Sequence, residues 1–201
     1  MPIRDRHISW KAGRLWRPIQ SFAGFDDNGT NQISLSQGTS TIEPLTTSEI
    51  SGMIMTTADE IADVFPIPWD MNRDKKMLAR IYFQHAAAGA DTPGFIMTSK
   101  FMAKQQAMDE FIAGADKSTT FADHTCSTNN PSLEVTVWTD LSWESYITAL
   151  DVLACVSVEL NALGSASADE CKLMGVEYMY EIEATDKIRR RIAREIARNP
   201  V

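Results

Sequence analysis

Three runs of the chain alternate apolar and polar residues with a period of two. Leu133, Val135 and Val137 oppose Ser132, Glu134 and Thr136. Val152, Ala154, Val156, Val158 and Leu160 oppose Asp151, Cys155, Ser157, Glu159 and Asn161, with Leu153 breaking the rule. Met174, Val176, Tyr178, Tyr180 and Ile182 oppose Gly175, Glu177, Glu181 and Glu183. That period predicts strands over 132–138, 151–160 and 173–182, each with one buried and one wet face. Strands of this kind belong to antiparallel sheets. Shorter β-runs lie at 52–56, at 61–65 (stopped by Pro66 and Pro68), at 77–85 around Ile81, Tyr82 and Phe83, and at 94–99.

Helical patterning is sparser. Residues 100–112 read as a helix or as a strand running into a loop. Trp143, Tyr146, Ile147 and Leu150, at spacings of three and four, predict a short helix over 141–150. Ile188, Ile192 and Ile196 form a stripe among arginines over 185–198, with Thr185 and Asp186 as N-caps. At the other end, Trp10, Leu15, Trp16, Ile19 and Phe22 are apolar anchors scattered among basic residues. They read as an extended arm ending in a strand near 14–22, which Pro18 places at a sheet edge. Asp26-Asp27-Asn28-Gly29 marks a turn, and residues 37–49 have loop composition. The organisation expected is an N-terminal arm (1–24), a β-sandwich domain (25–184) and a basic C-terminal helix (185–201). The fold class is all-β, an antiparallel β-sandwich of jelly-roll type.

A length of 201 residues suits one domain with a sizeable core, and 44% apolar and 23% charged residues are ordinary globular composition. Neither a membrane span nor a secretory leader is expected: the apolar stretches are short, and basic residues crowd the first seventeen positions. The net charge of −8 is unevenly spread. Residues 1–17 and 185–201 each carry +4, so the intervening body carries −16. Basic ends on an acidic body predict contacts with the chain's own body, a neighbouring subunit or another acidic surface. A nucleic-acid binder is basic over a whole domain face, so no nucleic-acid partner is expected.

Candidate chemistry is thin. His7, His85 and His124 are dispersed, and His124 with Cys126 supplies two ligands of the three or four that zinc needs. Cys126, Cys155 and Cys171 form neither a CxxC pair nor an even set. Residues 26–31 resemble a calcium loop in composition, but its glycine stands at position four and Gln37 occupies position twelve. No nucleophile elbow or phosphate loop is present, so neither cofactor nor catalysis is expected. The row Glu177, Glu181 and Glu183 is expected to be a solvated face. Trp138, on the polar side of its strand, is expected to be covered by a neighbouring subunit.

Several short motifs resemble the jelly-roll head decoration (capsid cement) proteins of tailed phages: Phe65-Pro66-Ile67-Pro68-Trp69-Asp70, Asn72-Arg73-Asp74, Ala79-Arg80-Ile81-Tyr82, Asp151-Val152-Leu153 and Leu173-Met174-Gly175-Val176-Glu177-Tyr178. The resemblance covers roughly residues 50–182. It implies a virion protein made in the host cytoplasm, which binds the major capsid protein on the capsid exterior, often as a trimer, without catalytic residues. The partner contacts expected, to capsid or subunit, are Trp10, Arg14, Leu15, Trp16, Trp138, Ile188, Ile192 and Arg194. The competing function class on this fold is a receptor- or carbohydrate-binding β-sandwich module. A cupin-like enzyme would need a clustered histidine and glutamate metal set.

Overall fold

The computed structural model describes residues 12–18, 23–25, 32–33, 53–55, 57–85, 92–107, 114–127, 132–162 and 171–183. Within them run β1 (Ala12–Pro18), β2 (Ala23–Phe25), β3 (Gln32–Ile33), β4 (Met53–Met55), β5 (Glu60–Pro66), β6 (Met77–His85), β7 (Gly94–Ala103), β8 (Lys117–Thr120), β9 (Ser132–Val135), β10 (Thr139–Asp140), β11 (Asp151–Ala162) and β12 (Cys171–Glu181). The first sheet runs β1-β12-β6. β4 pairs beside the start of β12, and β9 and β10 share the far edge of β6. The second sheet runs β3-β2-β5-β11-β7-β8. Every pairing is antiparallel. From β4 onward the chain passes back and forth between the sheets, the winding of a jelly-roll-like sandwich.

The core lies between the sheets. Met77, Ala79, Ile81 and Phe83 of β6, with Leu173, Val176 and Tyr178 of β12, face Ile61 and Phe65 of β5, Phe95 and Met97 of β7, and Ala154, Val156, Val158 and Leu160 of β11. Phe83 meets Phe95 across the sandwich at 5.1 Å between ring centroids. The alternation of β11 thus places its apolar side inward from Ala154 onward. Val152 is exposed and Asp151 is buried, because a register shift falls between Asp151 and Leu153.

Three expectations need correction. The apolar side of β9 faces outward: Leu133 is 52% and Val137 64% exposed, whereas Glu134 and Thr136 are buried. Glu134 stands opposite Phe83 on the inner side. Its carboxylate contacts His124 Nε2 at 2.8 Å and accepts from the Ser127 amide at 2.8 Å. Thr136 Oγ1 accepts from the Ile81 amide at 2.9 Å. Buried polar groups with such partners lose most of the penalty that keeps them outside.

Second, Trp138 is not on the inward, polar side of this run. The strand ends at Val135, and the Trp138 ring lies 4.6 Å from the Arg80 guanidinium. Third, residues 141–150 are not a helix beyond the 3-10 turn Trp143–Ser145, entered through Ser142 at φ 52°. Trp143 and Ile147 point into the core from this turn. The edge strand expected near 14–22 is β1, paired along β12, and β2 begins at Ala23. Pro18 closes β1 at the sheet edge. β7 continues to Ala103, so the first part of 100–112 is strand. The segment Ile67–Met71 crosses one end of the sandwich with Ile67 and Met71 buried and Trp69 exposed. Tyr180 OH donates to Asp70 there at 3.1 Å.

Trp10, Ile188, Ile192 and Arg194, the expected C-terminal helix, the turn at 26–29 and the loop at 37–49 lie outside the described residues.

Candidate functional site

The outward face of the first sheet carries the most distinctive surface among the described residues. Strand register sets its rows. Trp16 of β1 stands opposite Glu177 of β12, which stands opposite Arg80 of β6. In the next row Pro18 stands opposite Gly175, and Gly175 opposite Tyr82. All these side chains point away from the core because their neighbours Leu15, Val176, Ile81 and Phe83 point into it.

Gly175 leaves room for the Trp16 ring. A Cβ built on Gly175 would meet Trp16 ring carbons at 2.8 and 2.9 Å and the Arg17 carbonyl oxygen at 2.6 Å. The six-membered ring of Trp16 therefore rests across β12 on the bare backbone of Gly175. A register shift between Leu173 and Gly175 and a φ of +156° mark the same spot. The indole meets Tyr82 edge-on, with centroids 5.0 Å apart and planes at 87°. Arg80 continues the strip, its guanidinium 5.0 Å from the Tyr82 ring and 4.6 Å from that of Trp138. Trp16, Tyr82, Arg80 and Trp138 thus form one band across β1, β12, β6 and the segment after β9. Trp16 is 46% exposed, so much of its ring remains open to solvent.

Glu177 anchors this band and is not the solvated carboxylate expected. It is 8% exposed. Its Oε2 accepts from Arg80 Nε at 2.8 Å and from Tyr82 OH at 2.7 Å, and Arg80 Nη2 lies 2.7 Å from the same oxygen. Arg14 Nη1 approaches Oε1 at 3.4 Å. Burial alone would push the Glu177 carboxyl up. The hydrogen bonds from Tyr82 and Arg80, with the charges of Arg80 and Arg14, outweigh it and hold the carboxyl below its ordinary value. Burial and the same carboxylate push the Tyr82 phenol up.

A depressed carboxyl contributes stability that is fully present above the ordinary value near 4.5 and lost as pH falls through the lower folded value. Acidification below about pH 4.5 is therefore expected to loosen the band while the core persists. Heteronuclear NMR of the Trp16 indole N–H checks this. A Trp16 resonance that stays fixed while Glu177 titrates contradicts it.

Of the expected partner contacts, the structure brings Arg14, Trp16 and Trp138 to this one face. Leu15 points the other way, packed against the core. Tyr82, Arg80 and Glu177 complete the arrangement and were not among the expected site residues. On the other side of Trp16, starting one row away, the face ends in a cleft of about 200 Å³ between Ala12, Leu78 and Met179, with Lys75, Lys76 and Glu181 on its walls. The outward face of the second sheet is plainer. Ala62, Thr98 and Ser157 form a shallow depression beside Val64, Lys100 and Cys155. Burial pushes the Cys155 thiol up, away from the reactive thiolate. The described residues hold no cluster of three or more histidine, cysteine, aspartate or glutamate side chains arranged for a metal ion.

No protein-family model matches the chain, and no curated protein matches it. Among solved structures, a xylan-binding module, CBM15, is similar over 87% of this chain and 100% of the module, with a TM-score of 0.48 and 8% sequence identity.

Proposed function

We propose that this protein is a non-catalytic binding module that recognises a carbohydrate chain on the outward face of its first sheet. One observation carries the reading: the Trp16–Tyr82–Arg80–Trp138 band, with Trp16 seated against Gly175 and Arg80 and Tyr82 held by Glu177. A half-exposed indole on a sheet surface offers apolar ring area to the C–H face of a pyranose ring. The flanking arginines offer donors to ring hydroxyls, and the Tyr82 hydroxyl oxygen accepts from one. Mostly apolar contact with a few fixed polar groups is the general pattern of small-ligand sites. A preformed platform also lowers the ordering cost of binding.

Trp16→Ala is expected to weaken glycan binding at least tenfold, with the fold retained because Trp16 lies outside the core. Isothermal titration against a panel of soluble oligosaccharides checks this, with circular dichroism as the control. A glycan bound equally well by Trp16→Ala and the parent chain removes the platform from the mechanism.

A second reading has an observation of its own. Leu133 and Val137 are exposed on the first sheet, and Val64 and Val152 lie exposed on the second. A glycan platform does not need these residues, whereas a protein partner would cover them. Under this reading the chain decorates the outside of a tailed-phage head as a homotrimer, on the major capsid protein, as the motif resemblance implies. Co-sedimentation with undecorated capsids tests it. Failure to co-sediment, together with a monomeric mass by light scattering, excludes it.

A further inference from the structure

We infer that the cleft at the end of the aromatic band selects an acidic glycan, taking the carboxylate of a uronic acid residue while the band stacks on its neighbour. The inference rests on the carbohydrate reading above and specifies its ligand class. The cleft and the band are continuous: Arg14 stands opposite Met179, and Met179 opposite Leu78, two residues along from the row of Trp16, Glu177 and Arg80. That spacing is about 7 Å along the strands, short enough for neighbouring residues of one chain to reach both places. The cleft floor of Ala12, Leu78 and Met179 is apolar.

The charges around it are unequally engaged. Lys76 is paired with Asp140. Glu181, on the opposite wall, accepts from Asn72 Nδ2 at 3.2 Å. Lys75 is exposed and makes no ion pair among the described residues. Arg14 has a side chain 64% exposed and stands 3.4 Å from a carboxylate that Arg80 and Tyr82 already hold. Lys75 on the cleft wall and Arg14 beside Met179 of its floor are therefore cations with spare donors, available to a carboxylate that enters the cleft. The chain's net charge of −8 gives no general attraction for acids. At physiological ionic strength that wider field is screened beyond about 8 Å, so contacts at the cleft decide the preference.

The test uses the full chain with oligoglucuronate, oligogalacturonate and oligomannuronate, each beside its methyl ester, in which the negative charge is removed. Calorimetry should give at least one acid form bound about fivefold more tightly than its ester, since exposed ion pairs are individually modest. Lys75→Met should shrink that difference to about twofold, and Lys75→Arg should restore it. Equal affinity for acid and ester overturns this inference and leaves the carbohydrate reading intact. Binding of the acid forms that Lys75→Met leaves unchanged overturns it equally. If no acid, ester or neutral oligosaccharide binds, the carbohydrate reading itself fails.

Discussion

Replacing Arg17 with methionine is expected to cost about 3–5 kcal/mol of folding stability, the range for stranding one partner of a buried ion pair. Arg17 sits on the inward side of β1, in the first sheet, and Asp63 on the inward side of β5, in the second. Their contact is bidentate, with Nε to Oδ2 at 2.6 Å and Nη2 to Oδ1 at 2.7 Å. The Asp63 side chain is 1% exposed, so removing the guanidinium leaves a carboxylate with almost no access to water. Arg17 also lies over the Phe65 ring, 5.2 Å from its centroid. That contact is lost in part even with a methionine of similar length. Urea unfolding measures the loss. The double variant Arg17→Met, Asp63→Leu removes the stranded charge and is expected to recover most of it, because apolar replacement of a buried pair is often neutral. A single variant within 1 kcal/mol of the parent, or a double variant no better than the single, would show that the pair does not fasten β1.

The same pair links stability to the proposed site. Arg17 follows Trp16 in β1, and β1 borders only β12 within its sheet. If the edge strand frays, Arg14 and Trp16 leave the band together. Loss of glycan affinity in Arg17→Met at denaturant concentrations below global unfolding would report local opening of β1.

How much of this was legible beforehand depended on where each residue finds its partner. Alternation located β11 and β12 because their inward residues, Val156, Val158, Val176 and Tyr178, are plain hydrophobes. The same rule put β9 the wrong way round. Glu134 is satisfied by His124 and Ser127, which a periodicity count does not weigh, and Leu133 and Val137 were left to solvent. Glu177 misled for a similar reason, since its chief partner, Arg80, is 97 residues away in sequence. Arg14, Trp16 and Trp138 were picked out as unusual aromatic and basic positions, but nothing in the sequence showed that they share a face. A partial signal did exist. Arg80 and Tyr82 alternate with Ala79, Ile81 and Phe83, so they had to stand on the outer side of a buried strand. Gly175 interrupts an otherwise strand-rich run, which is where a close approach by another group is expected.

Trp143 shows how a side chain can matter more than the element that carries it. Its spacing with Tyr146, Ile147 and Leu150 suggested a helix, yet a single 3-10 turn is enough to plunge the indole into the core. There it stacks on Phe65 at 6.4 Å, meets Phe101 edge-on at 4.9 Å and lies 5.9 Å from Tyr178. Its Nε1 donates to Ser99 Oγ at 3.1 Å, so the one polar atom of a fully buried ring is satisfied. Trp143→Ala opens a cavity between the two sheets and is expected to cost about 3–5 kcal/mol. At roughly 2–4 °C per kcal/mol for a chain of this size, the melting temperature should fall by about 6–20 °C. Trp143→Phe keeps most of the packing and loses the hydrogen bond, with Ser99 left without its donor, for about 1–2 kcal/mol. Calorimetric melting of both variants measures the order. Equal losses would assign the effect to the hydrogen bond rather than to volume. A melting temperature unchanged in Trp143→Ala would mean that the indole is not a core residue and that the two sheets do not close around it.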